Sequence, residues 1–167
     1  MSDEITALGS LILLGLSYPA ALTAWWLLFP ERVEKARVKI VEEPKRSFWI
    51  GVLAALIAAI PGVFLFAVQV PFFRALGLIW LAVVLGFASL GAAGIAAELG
   101  LRVNWKNDGA FLSLGAFLRG ALIWELAAAL PLIGWLIVIP VGTLISLGGF
   151  IRTLGREKDP QEEKAEA

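Results

Sequence analysis

Apolar residues dominate this chain in long runs, and polar residues are confined to short stretches between them. The runs cover about residues 5–29, 48–70, 72–99 and 110–151. Runs of roughly 18 or more apolar residues are long enough to cross a bilayer as helices. The chain lacks the two-residue alternation of a membrane β-barrel. We therefore predict an all-α, polytopic membrane protein, since a helix satisfies its own backbone polar groups in lipid.

The last apolar run, 110–151, is about twice as long as one crossing requires. Pro131 and Gly134 lie near its middle, and proline close to glycine favours a turn. Division at this point gives segments 110–130 and 132–151, and hence a helical bundle of about five hydrophobic segments. A full hairpin across the membrane and a re-entrant pair both satisfy this pattern.

The first polar stretch, residues 31–46, also has helical periodicity. Its apolar positions are Val33, Ala36, Ile40 and Val41. We predict an amphipathic helical elbow on the cytoplasmic side, lying at the headgroup level and ended by Pro44. An ordinary solvated connector is the alternative. The basic residues of the elbow are candidate contacts for lipid or for a partner protein, and they are Arg32, Lys35, Arg37, Lys39, Lys45 and Arg46.

The third segment, 72–99, is rich in small residues. Ser89, Ala93 and Ala97 recur at four-residue spacing, which lets the backbones of neighbouring membrane helices approach closely. We therefore predict that this segment is the central helix of the bundle, with the largest number of neighbours.

Basic residues are distributed unevenly between the two sides of a five-crossing map. Twelve lie in the elbow, the 102–108 loop and the tail, and the other side has only Arg74. Since short basic loops remain in the cytoplasm, we expect the N-terminus outside the cell (inner) membrane and the C-terminus inside. With four crossings the bias is much weaker. The predicted organisation is one transmembrane helical domain, 1–151, and a charged, flexible tail, 152–167.

A few polar residues fall within or near the apolar segments, where an unpaired charge costs roughly 2.5–3.5 kcal/mol on insertion scales. Arg119 and Glu125 are six residues apart and so lie on different faces of one helix. Glu98 is therefore the predicted partner of Arg119. One interpretation is a structural ion pair, or snorkelling of Arg119 to the cytoplasmic face. The others are an ion or proton path that uses Glu98 and Glu125, and a contact with lipid headgroups or a partner subunit. The candidate intramembrane polar residues are Glu98, Arg119, Glu125 and Gln69.

The composition opposes most catalytic chemistry. Cysteine and histidine are both absent, which excludes thiolate catalysis, disulfides and the usual zinc, haem and iron–sulfur ligands. No nucleotide-binding, nucleophile-elbow or metalloprotease motif is present. The formal net charge of zero implies no polyanion-binding surface over the whole chain. We therefore expect no enzyme activity, no catalytic residue, no cofactor, no metal and no nucleic-acid partner.

Several short sequences resemble an uncharacterised bacterial multi-pass membrane region, of the kind often found after bactofilin-like polymer-forming domains. They are Leu28–Val33, Glu43–Phe48 with Gly51, Leu114-Gly115, Leu130–Trp135, Gly142 and Gly148-Gly149. Two features depart from that region. We expect no extracytoplasmic domain before segment one, and Val68–Pro71 stands where the region tends to have an Ile-Gly-x-Pro turn. The resemblance implies a membrane anchor or scaffold, no catalytic residues, and a cytoplasmic elbow.

Two functional hypotheses remain. The first is a non-enzymatic integral membrane protein, acting as an anchor, a scaffold or an accessory subunit of a larger complex. Its expected partners are anionic lipid headgroups, a second membrane subunit or further copies of the chain. The alternative is a small oligomeric transporter or channel, with the intramembrane polar residues lining its path.

Overall fold

The computed structural model describes residues 2–68, 70–103 and 113–155, with side chains described from residue 15 onward. Within these ranges the chain forms six α-helices and one short π-helix. They are α1 (Ser2–Leu28), α2 (Pro30–Glu42), α3 (Pro44–Ala67), α4 (Pro71–Val103), α5 (Leu114–Ala129), the π-helix (Gly134–Val138) and α6 (Ile139–Leu154). The described ranges contain no β-strand, so the prediction of an all-α protein is confirmed.

Proline and serine define where several of these helices begin. Pro30, Pro44 and Pro71 are the first residues of α2, α3 and α4, at the position where the missing N–H is not needed. Ser113 caps α5 by accepting a hydrogen bond from the backbone N–H of Ala116 at 3.2 Å. The predicted end of the elbow at Pro44 is therefore confirmed, because α2 stops at Glu42 and α3 starts two residues later.

Within the part of the chain that the structure describes, three helical segments are long and apolar enough to cross a membrane. They are Pro44–Ala67, Pro71–Val103 and the continuous stretch Gly134–Leu154. The helix α5 has 16 residues, which is short of the roughly 20 that a perpendicular crossing requires. Length and composition therefore support a membrane protein, and they do not confirm all five predicted segments. The α6 helix continues to Leu154, so the first residues of the predicted tail are helical.

The chain turns between α5 and the π-helix, as the sequence predicts. Leu130 accepts a hydrogen bond from the backbone N–H of Gly134 at 2.9 Å. A Cβ atom at Gly134 would overlap the backbone of Ala128, so the turn needs glycine for close approach. The helical path is thus interrupted between Ala129 and Gly134.

The helices α3, α4, α5 and α6 alternate in direction along the chain. In α4 and α5, Gly100 lies against Ala116 and Gly120 against Ala96. Trp80 of α4 donates its indole N–H to the carbonyl of Ala58 in α3 at 2.9 Å.

Contacts of the remaining helices show which of their ends lie together. In α3 and α6, Gly51 contacts Leu144 and Gly148 contacts Ser47, so these two helices are antiparallel. Trp26 near the end of α1 stacks on Phe117 near the start of α5, with ring centroids 4.9 Å apart. The ends of α1, α4 and α6, the starts of α3 and α5, and all of α2 therefore lie at one end of the bundle, which we call the basic end.

The helix α4 is the centre of the bundle, as predicted from its small residues. It packs against α1, α2, α3, α5 and α6. Ala93 and Ala97 are buried, and they form one core cluster with Leu22, Phe117 and Phe150. The outer face of α3 is different, because it exposes large apolar side chains: Trp49, Leu53, Leu56, Ile57, Ile60, Val63 and Phe64.

Glycine sets the distance between the central helices. A Cβ atom at Gly51 would overlap the carbonyl oxygen of Leu144 in α6, and one at Gly91 would overlap the carbonyl oxygen of Ser146. In contrast, nothing lies within 4 Å of a Cβ atom added at Gly86. These contacts bring the helix backbones together as the small-residue pattern requires.

We expect Gly51→Ala to destabilise the protein by about 1–3 kcal/mol, because the added methyl group must push α3 away from α6. Gly86→Ala is the matched control, and it should be neutral or slightly stabilising. Thermal unfolding of both variants in the same detergent measures the difference. Equal stability of the two variants would contradict this account of the packing.

Candidate functional site

The helix α2 is part of the bundle at the basic end. Val33, Ala36 and Ile40 are buried, while Val41 is exposed. Gly94 of α4 lies against the backbone of Ala36, and a Cβ at Gly149 of α6 would overlap Ile40. The prediction of a helical elbow is confirmed. Its apolar face, Val33, Ala36 and Ile40, packs against protein, because glycines on α4 and α6 let those helices approach it closely.

Glu98 is the centre of an ion-pair network that joins α2 to α4. Its carboxylate accepts from Nη1 of Arg37 at 2.7 Å and from Nε of Arg102 at 2.8 Å. Arg37 also donates to Glu34 on its own helix. The side chains of Arg37 and Glu98 are only 20% and 18% exposed. Hydrogen bonds to Glu34, and then to Glu98, raise the pKa of the Arg37 guanidinium.

The sequence predicts Arg119 as the partner of Glu98. In the structure, Glu98 forms its ion pairs with Arg37 and Arg102 instead. Arg119 is exposed on α5 and forms no ion pair with any described residue. The reason is the rotation of α5, whose small residues face α4. Ala116 and Gly120 are buried in that contact, which turns Arg119 outward.

A second network joins α6 to the link between α2 and α3. Arg152 donates from Nη2 to the carboxylate of Glu43 at 2.5 Å. Its Nη1 donates to the carbonyl of Lys39 at 2.9 Å and to Oγ of Ser47 at 3.1 Å. Arg46 also binds Glu43, at 3.1 Å. The bonds from Arg46, and then the charge of Arg152, hold the pKa of Glu43 below its usual value.

The sequence pattern does not indicate this role for Arg152, because the residue is the first of the predicted tail, 152–167. The charge pattern alone places Arg152 among the solvated residues that follow the last helix. Only the antiparallel pairing of α3 and α6 brings position 152 level with position 47. The elbow is therefore fixed at two points, through Arg37 to α4 and through Arg152 to α6.

The two networks leave only part of the basic elbow facing outward. Arg37 is mostly buried in its ion pair, and Lys39 is half-buried. Arg46 is exposed but bound to Glu43. Arg32, Lys35 and Lys45 are exposed.

Arg32 lies at the edge of an apolar groove with a volume of about 630 Å³. We call it the Arg32 groove, and α1, α2, α4 and α6 enclose it. Its main lining residues are Trp25, Phe29, Phe87, Leu90 and Phe150. A basic side chain beside a long apolar groove has the chemistry to hold an anionic amphiphile.

A polar crevice lies farther from the basic end, between α1, α4, α5 and α6. It consists of two adjoining cavities, of about 340 Å³ and about 420 Å³. Tyr18, Trp124 and Thr143 line both cavities and so stand between them. Ser89 and Ser146 line the first cavity, and Glu125 lines the second.

The structure does not bring the candidate intramembrane residues together. Glu98 lies at the basic end, beyond the contact of Ala96 with Gly120. Glu125 is five residues past Gly120 in the opposite direction, so the two carboxylates are separated by roughly 10 Å along the bundle. Arg119 is outside the bundle, and Gln69 lies outside the described residues.

The sequence pattern does not single out the hydroxyl groups of the crevice. Tyr18, Ser89, Thr143 and Ser146 come from three different helices, in which polar residues are few among apolar ones. Their isolation in those segments was the available signal. Among the described residues, no group of three or more acidic side chains is placed to hold a metal ion.

We expect Arg37→Gln to lower the free energy of unfolding by about 1–3 kcal/mol, because it removes charge-assisted hydrogen bonds to two carboxylates. Arg119→Gln is the matched control and should change stability by less than about 0.5 kcal/mol. Thermal or chemical unfolding in detergent checks both values. A larger effect at Arg119 than at Arg37 would refute the assignment of the Glu98 partner.

Comparison with known proteins adds no assignment to this geometry. No protein-family model, no curated protein and no solved structure matches the chain. The resemblance to a membrane region that follows bactofilin-like domains therefore stays a prediction, and the functional argument rests on the residues themselves.

Proposed function

We propose that this protein is a non-enzymatic integral membrane anchor or scaffold, an accessory subunit of a larger complex, whose basic end binds anionic phospholipid. The observation that carries the proposal is the position of Arg32 beside an apolar groove at the basic end. A phospholipid has the same two parts, a charged phosphate and apolar chains. The groove offers a surface for a chain and Arg32 offers a hydrogen-bonding cation for the phosphate.

The rigidity of the elbow supports this role. Arg37 and Arg152 attach α2 and its following link to α4 and α6. Arg32 is therefore carried on a fixed helix rather than on a mobile loop. A binding surface that is held in place loses less conformational entropy when a ligand binds. Each basic residue near an anionic surface contributes about 1 kcal/mol.

The exposed face of α3 supports an anchoring or scaffolding role. Large apolar side chains such as Leu56, Ile60 and Phe64 cover it. Exposure of a continuous apolar face of this size to water is unfavourable, so lipid or an apolar surface of another membrane subunit covers it. Helices of a second subunit, or of another copy of the chain, fit the same surface.

We further propose five membrane segments in the cell (inner) membrane, with the N-terminus outside and the C-terminus inside. The alternating helix directions support this arrangement, because they gather the elbow, Arg102 and Arg152 at one end. Positive loop charge favours the cytoplasm. The turn after α5 then lies at the opposite face or dips into the membrane as part of a re-entrant pair.

The alternative function is a small oligomeric transporter or channel. The polar crevice favours it, because Glu125 and several hydroxyl groups line connected cavities in an otherwise apolar bundle. Polar groups in a membrane protein commonly mark a path for ions or protons. The path would use Glu125, and Glu98 at the basic end would remain in its structural ion pairs.

The lipid proposal predicts that Arg32→Gln weakens binding of phosphatidylglycerol by about fivefold, which corresponds to about 1 kcal/mol. Lipid-dependent thermal stabilisation of the purified protein measures the affinity, with phosphatidylcholine as the uncharged comparison. Arg74→Gln, another exposed arginine far from the basic end, should behave as wild type. Equal phosphatidylglycerol affinity of the wild type and Arg32→Gln would exclude this lipid site.

The orientation can be tested by cysteine labelling, because the natural chain contains no cysteine. We expect a membrane-impermeant maleimide to reach Leu132→Cys in intact spheroplasts, and to reach Lys45→Cys only after the membrane is permeabilised. Leu132→Cys that reacts from neither side would indicate the re-entrant pair. Labelling of Lys45→Cys from outside would overturn the orientation.

A further inference from the structure

The cavity next to Glu125 combines one carboxylate with several aromatic rings. Tyr18, Trp124 and Trp135 line the same space of about 420 Å³ as Glu125. Thr143 adds a hydroxyl group, and the remaining lining is alanine and isoleucine. The cavity thus has a single charged group and a wall of aromatic surface.

Glu125 has no compensating cation within the described part of the chain. Glu34, Glu43 and Glu98 each accept hydrogen bonds from arginine, all of them at the basic end. No arginine or lysine lines either cavity of the crevice. Among the described residues, the carboxylate of Glu125 is therefore a negative group inside the bundle that has no positive partner.

The adjoining cavity contains a second polar group without a partner. Oγ of Ser146 is fully buried and has no hydrogen bond to any described atom. Ser146 lines the 340 Å³ cavity together with Tyr18, Ser89 and Thr143. A buried hydroxyl group that makes no hydrogen bond costs free energy, so the fold retains an unfavourable group at this position.

We propose that the polar crevice is a binding site for a lipophilic organic cation. The positive centre of the ligand lies beside Glu125, among the rings of Tyr18, Trp124 and Trp135, where charge attraction and cation–π contacts act together. The rest of the ligand extends past Thr143 into the adjoining cavity, which Tyr18 and Ser89 also line. The two cavities have the size that drug-like ligands require.

The chemistry of the walls selects this ligand class. An anion would be repelled by the uncompensated carboxylate of Glu125. Mg²⁺ or Ca²⁺ requires six or more oxygen ligands, and this cavity offers one carboxylate and few other oxygen atoms. A neutral apolar molecule would leave Glu125 desolvated without a partner. An organic cation satisfies the carboxylate and also covers the aromatic surface. This assignment does not depend on the Arg32 groove or on the anchoring role.

The test is binding of tetraphenylphosphonium to the purified full-length protein in mild detergent, measured by equilibrium dialysis. Triphenylphosphine oxide is the neutral comparison of similar shape. We expect saturable binding of one cation per chain, and an affinity at least about tenfold lower for Glu125→Gln. The neutral compound should bind the wild type and Glu125→Gln equally.

A second variant removes aromatic surface without touching the packed interior. Trp135 is 69% exposed, so Trp135→Ala should leave the fold intact and lower the affinity for the cation several-fold. Trp49→Ala is the control, since Trp49 is 68% exposed on α3 and far from the crevice. Size-exclusion chromatography and circular dichroism confirm that each variant is folded.

The outcomes separate clearly. Loss of affinity in Glu125→Gln and Trp135→Ala, with normal binding in Trp49→Ala, supports the site. Absence of saturable binding to the wild type, or unchanged affinity in Glu125→Gln, overturns it. If Glu125→Gln fails to fold, Trp135→Ala against Trp49→Ala decides the question in the same assay.

Discussion

Close contact between helix backbones is the constraint on which this structure depends. Lipid gives no hydrophobic reason for two apolar helices to associate, so packing and polar contacts must hold them together. Gly51, Gly91 and Gly148 supply that contact by allowing carbonyl groups of one helix to touch the backbone of the next. The helix α4 can therefore be surrounded by five neighbours, and α2 can reach far enough into the bundle for Arg37 to meet Glu98.

The two ion-pair networks follow from this packing and then reinforce it. Arg37 and Arg152 hold opposite ends of the elbow against α4 and α6. Both guanidinium groups are mostly shielded from solvent, at 20% and 12% exposed, so screening by salt is weaker than for a surface pair. Breaking such a pair leaves a charge without a partner, which costs more than the pair itself contributes.

The sequence predicts the helices well and the side-chain partners poorly. Proline positions define the starts of α2, α3 and α4, and small-residue spacing identifies α4 as the central helix. These features depend on local backbone chemistry. The partner of Glu98 depends on how α2 folds back over α4 and how α5 is rotated, and no local pattern encodes either. The sequence therefore predicts Arg37 as a contact for lipid or a partner protein, and Arg119 as the partner of Glu98.

The contrast between the two ends of the bundle explains where ligand chemistry is placed. At the basic end, acidic side chains such as Glu43 and Glu98 are neutralised by arginine, and the charge there serves the fold. In the crevice, Glu125 and Ser146 receive no such compensation from the described residues. The buried Ser146 hydroxyl group without a partner lowers the free energy of unfolding, and the half-buried carboxylate of Glu125 gains no ion pair that would stabilise the fold. A cationic ligand beside Glu125 gives a physical reason for the fold to keep that carboxylate.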